Sequence, residues 1–178
     1  MNNSNTLQWI SAIGSIITPI LIAIVGAVLA RVASRQEKVL EMQAKLQDDR
    51  IAIYNTILEP YIIALTPEGL LNKNKRFRGK APGDAASEII TTTEYKNAEF
   101  KLLLIGSDGV VKAYNEIKKF FYQNKMDGTE EATKQMLRIQ AQLILEIRKS
   151  VGNEGTKISQ MDAIWWFVKD ADKVFKES

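Results

Sequence analysis

The chain has 178 residues, with 24 Lys and Arg against 21 Asp and Glu and a formal net charge of +3. It contains no histidine and no cysteine, which excludes disulfides, Cys/His zinc sites, cysteine nucleophiles and every histidine-based triad or proton shuttle. The mild positive charge falls short of a nucleic-acid-binding composition.

From Met1 to Ala30 there is no Asp, Glu, Lys or Arg; Arg31, Arg35 and Lys38 follow. About 20 apolar residues suffice to cross a bilayer core, and Leu7 to Val32 is long enough to do so with some tilt. The expected element is a transmembrane anchor over residues 1–32. The rival is a cleaved signal peptide, which begins with a positive segment and has a shorter apolar run. Here Met1 to Thr6 carry no Lys or Arg, and the nearby positive charge lies after the run. A retained anchor is therefore expected. The positive-inside rule then places the N-terminus outside and the remainder in the cytoplasm.

Within this segment Gln8, Ser11, Ser15 and Thr18 recur at three- and four-residue steps and share one helix face. Small residues also repeat at four-residue spacing: Ser11 with Ser15, Gly14 with Thr18, Ala23 with Ala27, Gly26 with Ala30. Such spacing lets helices approach closely in lipid, and polar side chains there turn toward another helix or water. The blander reading is that Ser and Thr bond back to their own backbone. Pro19 is expected to kink or loosen the helix.

A stalk helix is expected over 33–59, because no Gly or Pro occurs from Leu29 to Glu59. Val25, Val32, Val39, Leu46 and Ile53 follow a seven-residue step, the mark of helices wrapped on one another. Extended backward, the same step reaches Thr18 and Ser11. The expected pore or oligomer face is thus Gln8, Ser11, Ser15, Thr18, Val25 and Val32. Companion positions are mixed, with Val28 and Met42 apolar but Arg35 and Asp49 charged. A loose bundle of stalks, or packing onto the chain's own domain, fits this better than a tight two-stranded coil. Pro60 is expected to end the stalk near Glu59.

Residues 60–178 read as a cytoplasmic helical bundle containing an exposed basic loop over 72–84. The loop carries Lys73, Lys75, Arg76, Arg78 and Lys80 around Phe77, and then Ala81 to Asp84 as turn residues. Tyr95, Ala98, Leu102 and Ile105 form the stripe of the next helix, which stops at Gly106. Ser107 and Asp108 offer a cap for another, striped by Val110, Tyr114, Ile117 and Phe121. Thr129 caps a long helix lined by Met136, Ile139, Leu143 and Ile147 and ending before Gly152. A last helix starts near Ser159, with Asp162 three residues on, and carries Met161, Ile164, Trp165, Val168 and Phe175. The expected fold class is all-α: one transmembrane helix continuing into a stalk, plus a bundle of about four helices.

Catalysis finds no nominee. Neither a P-loop nor a dinucleotide-binding glycine pattern is present. The glycines at 106 and 109 fit a tight interhelical connection better than a phosphate loop. No enzyme, metal site or cofactor is expected. The basic loop suits an anionic ligand, a nucleic-acid strand or anionic headgroups, with Phe77 able to stack on a base; the plainer reading is a solvated loop. Trp165, Trp166 and Phe167 cannot share one helix face. Burial within the chain is the favoured reading for them, with a subunit contact as the alternative.

The segments from Arg50 to Tyr61 (RIAIYNTILEPY) and from Leu104 to Tyr114 (LIGSDGVVKAY), with the anchored layout, resemble small single-pass membrane effectors of bacterial anti-phage defence, such as the Hailong-type effector. The likeness covers most of the chain and is architectural. It implies a homo-oligomer in the bacterial inner membrane and a partner signalling enzyme that makes a nucleotide or oligonucleotide ligand. It further implies a soluble part that senses the ligand and membrane helices that form an ion channel. The alternative expectation is a non-catalytic anchor or scaffold that recruits a cytoplasmic partner to the lipid bilayer.

Overall fold

The computed structural model describes residues 3–123, 128–169 and 171–175, with side chains described from residue 25 onward except at 174. All described regular structure is helical: α1 (Asn3–Ala64), α2 (Glu68–Leu71), α3 (Pro82–Ile90), α4 (Thr93–Ile105), α5 (Asp108–Tyr122), α6 (Glu130–Ser150), α7 (Gln160–Trp165) and α8 (Ala171–Phe175). Two compact units divide the chain, one ending at Leu46 and the other beginning at Gln47. Among the described residues no helix is long and apolar enough to cross a membrane. Most of the expected span, residues 1–24, has its side chains outside the described set.

In the first unit, every described side chain from Val25 to Leu46 is exposed. In the second, the period of α1 turns its apolar face inward. Ile53, Tyr54, Ile57, Pro60 and Tyr61 are all buried, at the three- and four-residue spacing of a packed helix face.

The stalk does not stop before Pro60 as the sequence suggested; α1 runs on to Ala64. Proline inside a helix removes one backbone bond and crowds the preceding turn. Here its ring is fully buried, and burial of apolar surface opposes that cost. The helix ends instead where the Leu65 and Thr66 amides close on Tyr61 and Ile63, just ahead of Pro67.

Ala81 to Asp84, expected as loop, open α3. Pro82 occupies the first turn, where its missing N–H costs nothing, and Ala85, Ala86 and Ile89 are buried. In α4 the expected Tyr95, Ala98 and Leu102 are buried, and Thr92 caps the helix by accepting from the Tyr95 amide at 3.1 Å. Gly106 follows it with extended backbone, and a Cβ there would collide with the Leu102 carbonyl. In α5, Val110, Tyr114 and Ile117 are buried as expected, but Phe120 takes the inward place assigned to Phe121. Thr129 caps α6 by accepting from the Ala132 amide at 3.2 Å. Ser159 and Asp162 form a reciprocal capping box at α7. That helix is short, and the stretch expected as one helix to Phe175 is divided into α7 and α8.

The main core joins the α1 root to α3, α4, α5 and α6; a smaller cluster gathers Ala141, Ile164 and Ala171. At the edge of the main core Glu99 is held by three donors. The Tyr114 hydroxyl donates to it at 2.6 Å, Lys118 Nζ at 2.8 Å and Lys96 Nζ at 3.0 Å. Burial alone raises the Glu99 pKa, but these three hydrogen bonds outweigh it and hold the carboxyl below its ordinary 4.5. A carboxyl with a depressed folded-state pKa stabilises the fold above its unfolded value and loses that contribution as pH falls through the folded value. In urea melts below pH 4.5, the native chain is expected to lose stability more steeply than Glu99→Gln. Parallel pH profiles would show that the network carries no pH-linked stability.

Candidate functional site

Two regions carry the sequence-predicted site residues. The first is the α1 seam. Gln8, Ser11, Ser15 and Thr18 have side chains outside the described residues. Val25 and Val32 are described and exposed, at 55% and 48%. Val28, Leu29, Val39, Leu40, Met42 and Leu46 are exposed as well. An isolated helix is marginal in water and draws most of its stability from packing an apolar face. In this single chain that face packs on nothing between Val25 and Leu46. At Ile53 the same seven-residue step enters the core of the second unit.

The second region is the basic loop, which is more structured than its composition suggested. The Asn72 side chain accepts from the Gly79 amide at 2.8 Å, and the Asn74 side chain accepts from the Arg76 amide at 3.0 Å. Gly79 takes a φ of 77°, the left-handed region that glycine enters without steric cost. The Phe77 ring is 4% exposed and belongs to the core, so it is an anchor for the loop and has no free face for a base. Arg76 lies over that ring at 5.1 Å and 3.7 Å from Glu59. Lys80 pairs with Glu88. Lys73, Lys75 and Arg78 are left exposed, with no ion-pair partner among the described residues. The loop thus presents three free cations and two that are already engaged.

The connection between α4 and α5 is a tight corner. Ser107 stands at the N-cap of α5 without a side-chain cap bond. Its amide donates to the Tyr54 hydroxyl at 3.2 Å, and a Cβ at Gly109 would collide with the Glu146 carboxylate.

Sequence reasoning missed the polar seat of α1. Arg50 Nε donates to the Ile105 carbonyl at 2.6 Å. Gln47 Nε2 donates to the Ser150 carbonyl at 3.2 Å, and the Tyr54 hydroxyl lies 2.8 Å from Ser150 Oγ. No local pattern pairs positions so far apart. The one available signal was that Arg50 and Tyr54 fall in one of the two segments that carry the resemblance, and Ile105 and Ser107 in the other.

The aromatic triplet is also corrected. Trp165, Trp166 and Phe167 are exposed at 63%, 84% and 49%, so the favoured burial within the chain does not occur. A turn breaks the helix there, and of the residues from Ile164 to Phe167 Ile164 alone is buried.

Among the described residues no group of carboxylates is placed to hold a metal ion. Compared with protein-family models, curated proteins and solved structures, the chain matches none.

Proposed function

We propose that the chain is a membrane-anchored, homo-oligomeric effector of bacterial anti-phage defence. In this reading its first helix associates with copies of itself and lines an ion-conducting path, and the helical unit from Gln47 onward regulates it. The observation that carries the proposal is the run from Val25 to Leu46, helical and apolar at heptad positions yet wholly exposed in one chain. Exposed apolar surface at a regular step marks an association face. The charge-free opening from Met1 to Ala30 supports the membrane as its setting, with an outside N-terminus following from Arg31, Arg35 and Lys38; the bacterial inner membrane is what the resemblance implies. Ser11, Ser15 and Thr18 would face the axis, with Val25 and Val32 as an apolar constriction that gates by dewetting.

The basic loop supplies the sensing surface in this reading. Lys73, Lys75 and Arg78 offer point charges to the phosphates of a nucleotide or oligonucleotide made by a partner enzyme, without base stacking. Neutralising Lys73, Lys75, Arg76, Arg78 and Lys80 together is expected to abolish salt-sensitive binding of a single-stranded oligonucleotide probe; unchanged binding excludes the loop.

Membrane potential in cells expressing the chain tests the pore. Depolarisation that disappears when residues 1–30 are exchanged for an unrelated transmembrane helix is the expected result. Function surviving that exchange would favour the tether or scaffold reading.

A further inference from the structure

Helix α4 is apolar on two opposite faces. Tyr95, Ala98 and Leu102 turn into the core. Phe100, Leu103 and Leu104 lie on the far side and are exposed at 64%, 65% and 65%. A surface helix carries one apolar stripe, and a helix apolar all round is covered on both sides. Among the described residues nothing covers this second face. The charges flanking it indicate what does. Along α4 they run Glu94, Lys96, Glu99, Lys101, an order antisymmetric about the point between Asn97 and Ala98. Glu94 mirrors Lys101, and Lys96 mirrors Glu99. Glu94 and Lys101 border the groove toward α1, while Lys96 and Glu99 border the groove toward α5. Lys96 and Glu99 are paired within one chain, but Glu94 and Lys101 have no ion-pair partner there among the described residues.

We propose that the outer face of α4 pairs antiparallel with the same face of a second copy, about a two-fold axis passing between Asn97 and Ala98. A two-fold contact uses one patch on both chains, so the patch must complement itself. Here Glu94 of each copy meets Lys101 of the other along one edge, and Lys96 meets Glu99 along the other edge. A parallel pairing would instead set like charges against each other, and an unrelated partner gives the antisymmetry no reason. The apolar side chains agree with the same axis. Phe100, Leu103 and Leu104 all lie C-terminal to it, so they cross to the N-terminal half of the other copy's α4. Beside that half stands Tyr122, 76% exposed, in the groove that holds Lys96 and Glu99, with Lys118 Nζ 5.3 Å from its ring centre. Exposed ion pairs add little affinity but fix register; the apolar side chains supply the attraction. One face of a 13-residue helix is smaller than the roughly 800 Å² per partner that a stable dimer buries. The contact therefore rests on the homo-oligomer reading above, in which chains joined along α1 present it at high effective concentration.

The chain has no cysteine, so Asn97→Cys places one thiol per chain beside the axis, at an exposed position. Packed helices stand about 8–10 Å apart, within reach of a short bis-maleimide. In the detergent-solubilised full chain this variant is expected to give a cross-linked dimer at several times the yield of Asn153→Cys, an exposed site on the connection between α6 and α7. Adding Glu94→Lys should cut that yield several-fold, because it sets Lys against Lys twice along one edge. Adding Lys101→Glu as well restores the opposition and should restore the yield, which a merely structural effect of the first substitution would not allow. A yield no higher than that of Asn153→Cys overturns the pairing; if the mass is still a multiple of one chain, the association along α1 stands without it. A yield that Glu94→Lys leaves unchanged also overturns it. Cross-linking that persists in a chain carrying Val39→Asp and Leu46→Asp, or in one that α1 does not associate, shows that the α4 face pairs on its own and keeps the inference whatever becomes of the α1 reading. The substituted positions are all exposed, and far-UV circular dichroism checks each fold.

Discussion

Ile57→Ala is expected to lower the stability of the second unit by about 2–5 kcal/mol, the range for removing a buried branched side chain and leaving a cavity. Ile57 has no exposed surface. It lies one turn after Ile53 and one turn before Tyr61 on the buried face of α1, so its loss falls on the face that joins this helix to the rest of the core. Interiors are packed nearly as densely as organic crystals, and α1 is fixed on both sides of the gap, which limits collapse around it. Ile57→Val removes one methylene and should cost about 0.5–1.5 kcal/mol. Urea unfolding of the two variants beside the native chain measures both. An alanine variant no less stable than the valine variant would show that the α1 root is not part of the cooperative core.

The second large effect concerns assembly. On the proposed association along α1, Val39→Asp combined with Leu46→Asp should leave separate chains with the second unit folded. Both side chains are exposed in the single chain, at 51% and 37%, so the substitutions remove no core contact. In an assembly joined along the seven-residue step they would bring like charges together across a desolvated seam. An unchanged assembly with the same melting curve would place the association face elsewhere on α1 or on another helix.

Much of the helical unit was legible in the sequence because its signals are local. Tyr95, Ala98 and Leu102, then Val110, Tyr114 and Ile117, mark buried stripes by spacing alone, and Thr92, Thr129 and Ser159 cap the helices that follow them. For Thr92 the local sign is Glu94 in the first turn behind it. Local preference sets Pro60 and Phe77 apart from a helix and a core, yet burial by distant partners decides both, whereas Pro82 follows the local preference of proline for the first turn of a helix. Phe120 and Phe121 are adjacent, and a single step of about 100° chooses which one turns inward. The aromatic triplet failed in the opposite direction. Trp165 and Trp166 have the composition of core residues, and the break after α7 leaves them outside.

The candidate site was legible to different degrees. The seam at Val25, Val32, Val39 and Leu46 follows from its period, and its side chains are exposed in the single chain. In the basic loop the charges were evident, but neither the engagement of Arg76 with Glu59 nor that of Lys80 with Glu88 is encoded by neighbouring positions. The seat of α1 on Ile105, Ser107 and Ser150 could not be read at all, since two of its acceptors are backbone carbonyls whose identity leaves no trace in composition.

Mass measurement of the detergent-solubilised full chain, corrected for bound detergent, tests the central claim most directly. Association through α1 predicts a discrete multiple of the 20.0 kDa chain, falling to a single chain in the Val39→Asp, Leu46→Asp variant. A native species of one chain, across the range of concentrations and in lipid nanodiscs alike, would contradict it.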